Sequence, residues 1–168
     1  MPARANISLR ELQDADESAF SARPAAFHRY LQDQANGLRR VRVAEWQGEF
    51  AGYVTLLWVA EDPALRDDAL PEVSDLQVLP GFRGRGIGSV LMDEIESIAA
   101  TRCEAVGLTV GLHSGYGRAQ RMYVLRGYVP DGSGVLIDGS AVPEGSTIRL
   151  DDNPIVTLRL TKALRGAV

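Results

Sequence analysis

The chain has 168 residues, with 18 Lys and Arg against 22 Asp and Glu, a net charge of −4 and a single cysteine, Cys103. That length suits one compact domain over residues 1–168, and a lone cysteine excludes both an intramolecular disulfide and a thiolate metal cluster, so no metal site is expected. The acidic balance and the lack of a long apolar run speak against nucleic acid and membrane as partners, and the opening MPARANISLREL has no signal core, so a cytoplasmic location is the expectation.

Ile7-Ser8-Leu9-Arg10 alternates and reads as a first strand, followed by helical segments at residues 14–22 and 24–34 that stop at Asn36-Gly37. Residues 40–46 and 50–59 are β-rich runs joined by Gln47-Gly48-Glu49, a hairpin. Arg39, Arg40 and Arg42 fall on an alternating segment and read as a solvated strand face. Residues 61–71, acidic and with two prolines, read as loop, and a strand follows over 72–79. Ile87, Val90, Leu91, Ile95, Ile98 and Ala99 then recur every three or four residues, an amphipathic helix whose Asp93, Glu94 and Glu96 face solvent. Residues 105–112 form an apolar run short enough for a buried strand, and 117–126 a short helix stopped by Gly127. The tail alternates through Val135-Leu136-Ile137, turns at Asp138-Gly139 and ends in a strand at 155–160. These elements predict an α/β (α+β) fold, a mixed sheet flanked by helices.

The stretch VSDLQVLPGFRGRGIG, residues 73–88, carries the chemistry. A strand breaks at Pro80-Gly81 and enters a loop in which Gly84, Gly86 and Gly88 bare the backbone where a helix begins. Exposed N–H groups at a helix N-terminus bind anions, and Arg83 and Arg85 add positive charge. No Gly-Lys-Ser/Thr follows, which excludes a P-loop, and position 89 is Ser89 where a Rossmann fingerprint needs its third glycine. The residues alone leave open a phosphorylated ligand of some other kind, or a glycine-rich turn with two solvated arginines.

Arg83-Gly84-Arg85-Gly86-Ile87-Gly88 resembles the acetyl-CoA motif of the GNAT (GCN5-related N-acetyltransferase) superfamily, Arg/Gln-x-x-Gly-x-Gly/Ala. Downstream, Ala119-Gln120-Arg121-Met122-Tyr123 with Gly127-Tyr128 is similar to the family's Ala-x-x-Leu-Tyr-x-x-x-Gly-Phe signature. The resemblance is sharp over residues 72–128. It implies a central, mostly antiparallel twisted sheet splayed between its fourth and fifth strands, with the pantetheine arm of acetyl-CoA lying along Leu76, Gln77 and Val78 and its pyrophosphate on residues 83–88. The N–H of Val78 would face the thioester carbonyl.

The resemblance also implies an acetyltransferase acting on a small-molecule or protein amine by direct attack, with Tyr123 as the acid that protonates the departing thiolate. Its reference pKa of about 10 compares with roughly 8.5 for a thiol. Glu72 matches the base of the histone-acetyltransferase branch. Asp75, three residues on, is expected on the opposite side of the strand, and a water chain is a further candidate for the base. The family's frequent asparagine seven residues before the tyrosine is here Tyr116, and His113 and His28 read as structural. A non-catalytic acyl-CoA sensor or docking module is the alternative function, and the chain is expected to be a monomer or homodimer.

Overall fold

The computed structural model describes residues 5–20, 22–148 and 156–164. Strand β1 (Ile7–Glu11) is followed by a 3-10 helix (Asp14–Phe20), α1 (Pro24–Ala35), the hairpin β2 (Arg39–Trp46) and β3 (Glu49–Leu57), and α2 (Pro63–Asp67). Next come β4 (Glu72–Val78), α3 (Ile87–Ala100), β5 (Ala105–Gly111), α4 (Gly117–Leu125), β6 (Val129–Ile137), the short β7 (Ser140–Ala141) and β8 (Val156–Ala163). Among the described residues the eight strands form one sheet in the order β1-β2-β3-β4-β5-β8-β6-β7, antiparallel except for β4 beside β5.

That parallel pair meets at a single register position, Glu72 opposite Gly107, closed by the Gly107 N–H donating to Pro71 C=O at 3.0 Å. Beyond it the two strands diverge. Strand β5 turns its other edge to β8, with seven paired positions from Ala105–Ala163 to Gly111–Thr157.

The sheet is covered on both faces. On one, Ile87, Leu91, Ile95 and Ala99 of α3 pack on Val54, Leu56, Val73, Val106, Leu108 and Leu160, which realises the predicted apolar stripe. On the other, Phe20, Phe27 and Tyr30 cover Val41, Val43 and Tyr53.

Several elements differ from expectation for tertiary or capping reasons. Residues 14–20 form a 3-10 helix tied down by Asp16, which accepts from Arg10 at 2.7 Å and from the Gln13 N–H at 2.9 Å. The segment read as loop contains α2, because Asp62 caps the N–H groups of Ala64 and Leu65 and Pro63 occupies the first helical position. Strand β6 starts at Val129 rather than 135, with a register shift between Pro130 and Val135. Ile155 lies outside the described residues.

Some charged groups expected in solvent are paired instead. Arg39 is 1% exposed, donates to Thr55 at 2.9 Å and lies 4.5 Å over the Tyr30 ring, while Arg42 pairs with Glu94. Glu96 is buried; burial alone would raise its pKa, but Arg126 at 2.9 Å and Lys162 at 2.5 Å outweigh it and hold the carboxyl below its ordinary range.

Candidate active site

The divergence of β4 from β5 opens a cleft of about 720 Å³, walled by both strands, the loop before α3, the start of α4 and Thr157 of β8. Along β4, the Leu79 N–H donates to Ala51 C=O of β3 at 2.9 Å. Backbone direction alternates along a strand, so the N–H groups of Val78 and Leu76 point the other way, into the gap. They form an edge for an extended amide chain.

At the outer end, Gly84 and Gly86 have φ of +78° and +83°, conformations an L side chain resists, and Gly86 stands as the N-cap of α3 without any side-chain cap. The first N–H groups of α3 therefore have no intrahelical partner. Arg83 lines the cleft and folds back to donate from Nε to Val78 C=O at 3.0 Å. Arg85 lies 4.9 Å over the Trp46 ring, away from the lining. Gln77, Ile87 and Gly88 line the cleft, Ile87 with its side chain in the core.

Tyr123 projects from α4 into this space and is 7% exposed. Its ring packs edge-on against Tyr128 at 5.6 Å, and among the described residues its hydroxyl has no hydrogen-bond partner. Burial, with a smaller contribution from Tyr116, pushes its pKa up to about 12.

Glu72 sits where β4 and β5 join, and its Oε2 accepts from the N–H groups of Glu61 (2.8 Å) and Asp62 (3.1 Å). Burial raises its carboxyl pKa, and those two N–H groups only partly offset it. Oε1 is left over. Asp75 does not face away from this side. Its φ is +50°, at an irregularity in the β3–β4 register between Tyr53 and Thr55 that resets the alternation, so Ser74 and Asp75 follow one another on the α1 face. There the Asp75 carboxylate accepts from the Tyr30 hydroxyl and pairs with Arg23 at 3.1 Å.

The loop after β5 departs from the motif. A Cβ on Gly111 would fall 2.4 Å from the Tyr116 ring, which therefore lies flat against bare backbone, and the His113 ring meets it at 4.7 Å. The Gly115 N–H donates to His113 Nδ1 at 3.1 Å, the structural role expected. Sequence reasoning missed the buried Arg159, which joins Asp62 at 2.9 Å to Asp131 at 2.9 Å beside Glu72. It also missed Ser74, Thr109, Thr157 and Arg118 on the cleft wall. One signal was available: in residues 105–111 every second residue is Ala, Gly or Thr, which marks one face of β5 as small and polar.

The model of the acetyltransferase (GNAT) family matches residues 7–128, and the chain belongs to that family. An uncharacterized N-acetyltransferase of Mycobacterium tuberculosis is 30% identical over 132 residues, 79% of this chain and 74% of that one. A mycothiol acetyltransferase of Nocardia farcinica is 36% identical over 87 residues, 52% of this chain and 26% of its own length. Among solved structures, yncA from Salmonella typhimurium with its cofactor acetyl-CoA superposes with a TM-score of 0.69 at 16% identity, covering 96% of each chain. Spermidine N-acetyltransferase from Vibrio cholerae, in complex with CoA and spermine, has a TM-score of 0.67 at 16% identity, covering 95% of this chain and 96% of that one. At these identities the structural likeness concerns the fold. The protein is thus an N-acetyltransferase of GNAT type with acetyl-CoA as its donor. No helix among the described residues is long and apolar enough to cross a membrane.

Proposed function

We propose that this chain transfers the acetyl group of acetyl-CoA to a primary amine by direct attack within the β4–β5 cleft. The observation that carries the reading is the unpartnered Tyr123 hydroxyl in a gap whose β4 edge is unpaired and whose outer end is the bare N-terminus of α3. Acetyl-CoA, when bound, supplies the activated acetyl group as a thioester. Arg83 and the free N–H groups of residues 86–88 hold the pyrophosphate. Leu76, Gln77 and Val78 orient the pantetheine arm by adding it to the strand edge, and Val78 N–H donates to the carbonyl oxygen as charge develops there. Arg85, turned onto Trp46, contributes charge to the loop rather than a direct contact.

Glu72 takes the proton of the incoming amine through Oε1, since Oε2 is held by the loop before α2. Its raised pKa makes it a stronger base than an exposed carboxylate.

The tyrosine's part differs from a simple handing-over of its proton. A phenol whose pKa lies above that of the thiol gives up its proton uphill, by about 1.5 units at reference values. With Tyr123 pushed up to about 12, the gap grows to about 3.5 units, roughly 5 kcal/mol. Tyr123 therefore keeps its proton and donates a hydrogen bond to the sulfur, so that CoA departs as a stabilised thiolate. Cys103 is not among the cleft-lining residues, in keeping with direct transfer over an acyl-enzyme.

Thiol release from acetyl-CoA against a panel of primary amines tests the reading. Amine-dependent release is the expected result. Calorimetric binding of acetyl-CoA without release on any amine would overturn it in favour of the sensor.

A further inference from the structure

We infer that the acceptor is a hydroxylated amine of the amino-sugar or amino-alcohol class, bound by a row of hydroxyl groups on the α1–α2 side of the splayed strands. This rests on the acetyl-transfer reading above.

Strand alternation separates the two faces of the cleft. Val73, Val106, Leu108, Val110 and Leu160 belong to the core beneath α3, with Leu158 packed against it. Their neighbours Glu72, Ser74, Thr109, Thr157 and Arg159 therefore point to the opposite face. The register fixes their order. Glu72 lies opposite Gly107 where the strands meet, Ser74 and Thr109 stand one step further along each diverging strand, and Thr157 pairs with Gly111 beyond them.

Two close contacts bound this strip. A Cβ on Gly107 would fall 2.3 Å from Leu65 of α2, and one on Gly111 would fall 2.4 Å from Tyr116, so these side chains cover its two ends. Behind it, Arg159 is fixed by Asp62, Asp131 and Ser133.

Between those ends, the hydroxyl groups of Ser74, Thr109 and Thr157 line the cleft with no hydrogen-bond partner among the described residues. Thr109 and Thr157 are diagonal neighbours across an antiparallel pair, about 7–8 Å apart, a span that one substituted six-membered ring can bridge. A hydroxylated ring replaces the water on these groups with hydrogen bonds, whereas an apolar amine strips that water and leaves them unpaired. The Glu72 carboxylate at the same wall, which has no cationic partner among the described residues, favours a cationic acceptor, whereas that of Asp75 is already paired with Arg23.

The test compares two six-membered-ring amines, glucosamine and cyclohexylamine, by thiol release from acetyl-CoA with the full chain. Values of kcat/KM are expressed per unprotonated amine. Glucosamine is expected to be preferred by about 100-fold. Thr109→Val and Thr157→Val, each verified by acetyl-CoA binding, should narrow that preference by about tenfold. Equal or better use of cyclohexylamine, or a preference unmoved in the double variant, overturns this inference and leaves acetyl transfer standing. Release with neither ring amine but with an unbranched alkylamine does the same. Release with no amine at all overturns both.

Discussion

Replacing Tyr123 with Phe isolates a single hydroxyl. That hydroxyl has no partner among the described residues, and the ring keeps its packing against Tyr128. Folding stability should therefore change by less than about 0.5 kcal/mol in urea unfolding. Loss of one preorganised donor to developing charge costs about 10²- to 10³-fold in kcat, or about 2.7–4 kcal/mol. Because the group works by donating and not by ionising, and because its pKa is pushed up to about 12, it stays protonated through the assay range. Tyr123 should then impose no fall in kcat below about pH 11, where a solvent-exposed tyrosine would begin to fail near pH 10. Stopped thiol-release assays from pH 6 to 10 with a true acceptor read the loss in kcat and its pH dependence, and calorimetry checks that acetyl-CoA still binds. Turnover of Tyr123→Phe within threefold of the parent would refute the argument. So would a basic limb near pH 10 that vanishes in the variant, since it would mean that the phenol ionises during the cycle.

Three further outcomes follow from the same geometry. Glu72→Gln keeps an oxygen for the Glu61 and Asp62 N–H groups, so the fold should hold while kcat falls about 10²-fold and the acid limb of the rate profile disappears. The folded pKa of Glu72 is raised, so its contribution to stability is full below about 4.5 and is lost as pH rises through the folded value. The glutamine variant should accordingly gain on the parent in stability between pH 4 and 7, and a constant difference would count against the burial argument. Gly86→Ala forces a left-handed conformation at φ +83°, costing about 1–2 kcal/mol and raising the KM for acetyl-CoA more than it lowers kcat; an unchanged KM would separate the loop from cofactor binding. Arg159→Met strands the Asp62 and Asp131 carboxylates around a residue that is 4% exposed, with an expected loss of about 3–5 kcal/mol in urea unfolding, and a loss under 1 kcal/mol would show those acids to be hydrated.

The elements around the cleft were legible because they rest on local rules. The three-and-four spacing of α3, the glycines of the 83–88 loop and the run of β5 each announce a structure that needs no distant partner to form. They were enough to place the donor. Glu72 and Tyr123 could be named by position, but position does not carry environment. Whether a phenol ends up near pKa 12 depends on what buries it, here Tyr128 and the helix–sheet interface.

Three things depended wholly on tertiary structure. The register irregularity in β4 brings Asp75 to the same face as Ser74, against the period of two that the sequence alone predicts. Arg39, Arg42 and Glu96 read as solvated charges until strands and helices distant in sequence supplied Thr55, Glu94, Arg126 and Lys162. The row of Ser74, Thr109 and Thr157 comes from strands β4, β5 and β8, which only the order of the sheet sets side by side. The physical reason is the same each time. Backbone period and turn chemistry are short-range and are written in adjacent residues, whereas burial, charge pairing and the convergence of side chains across strands depend on which segments the folded sheet makes neighbours.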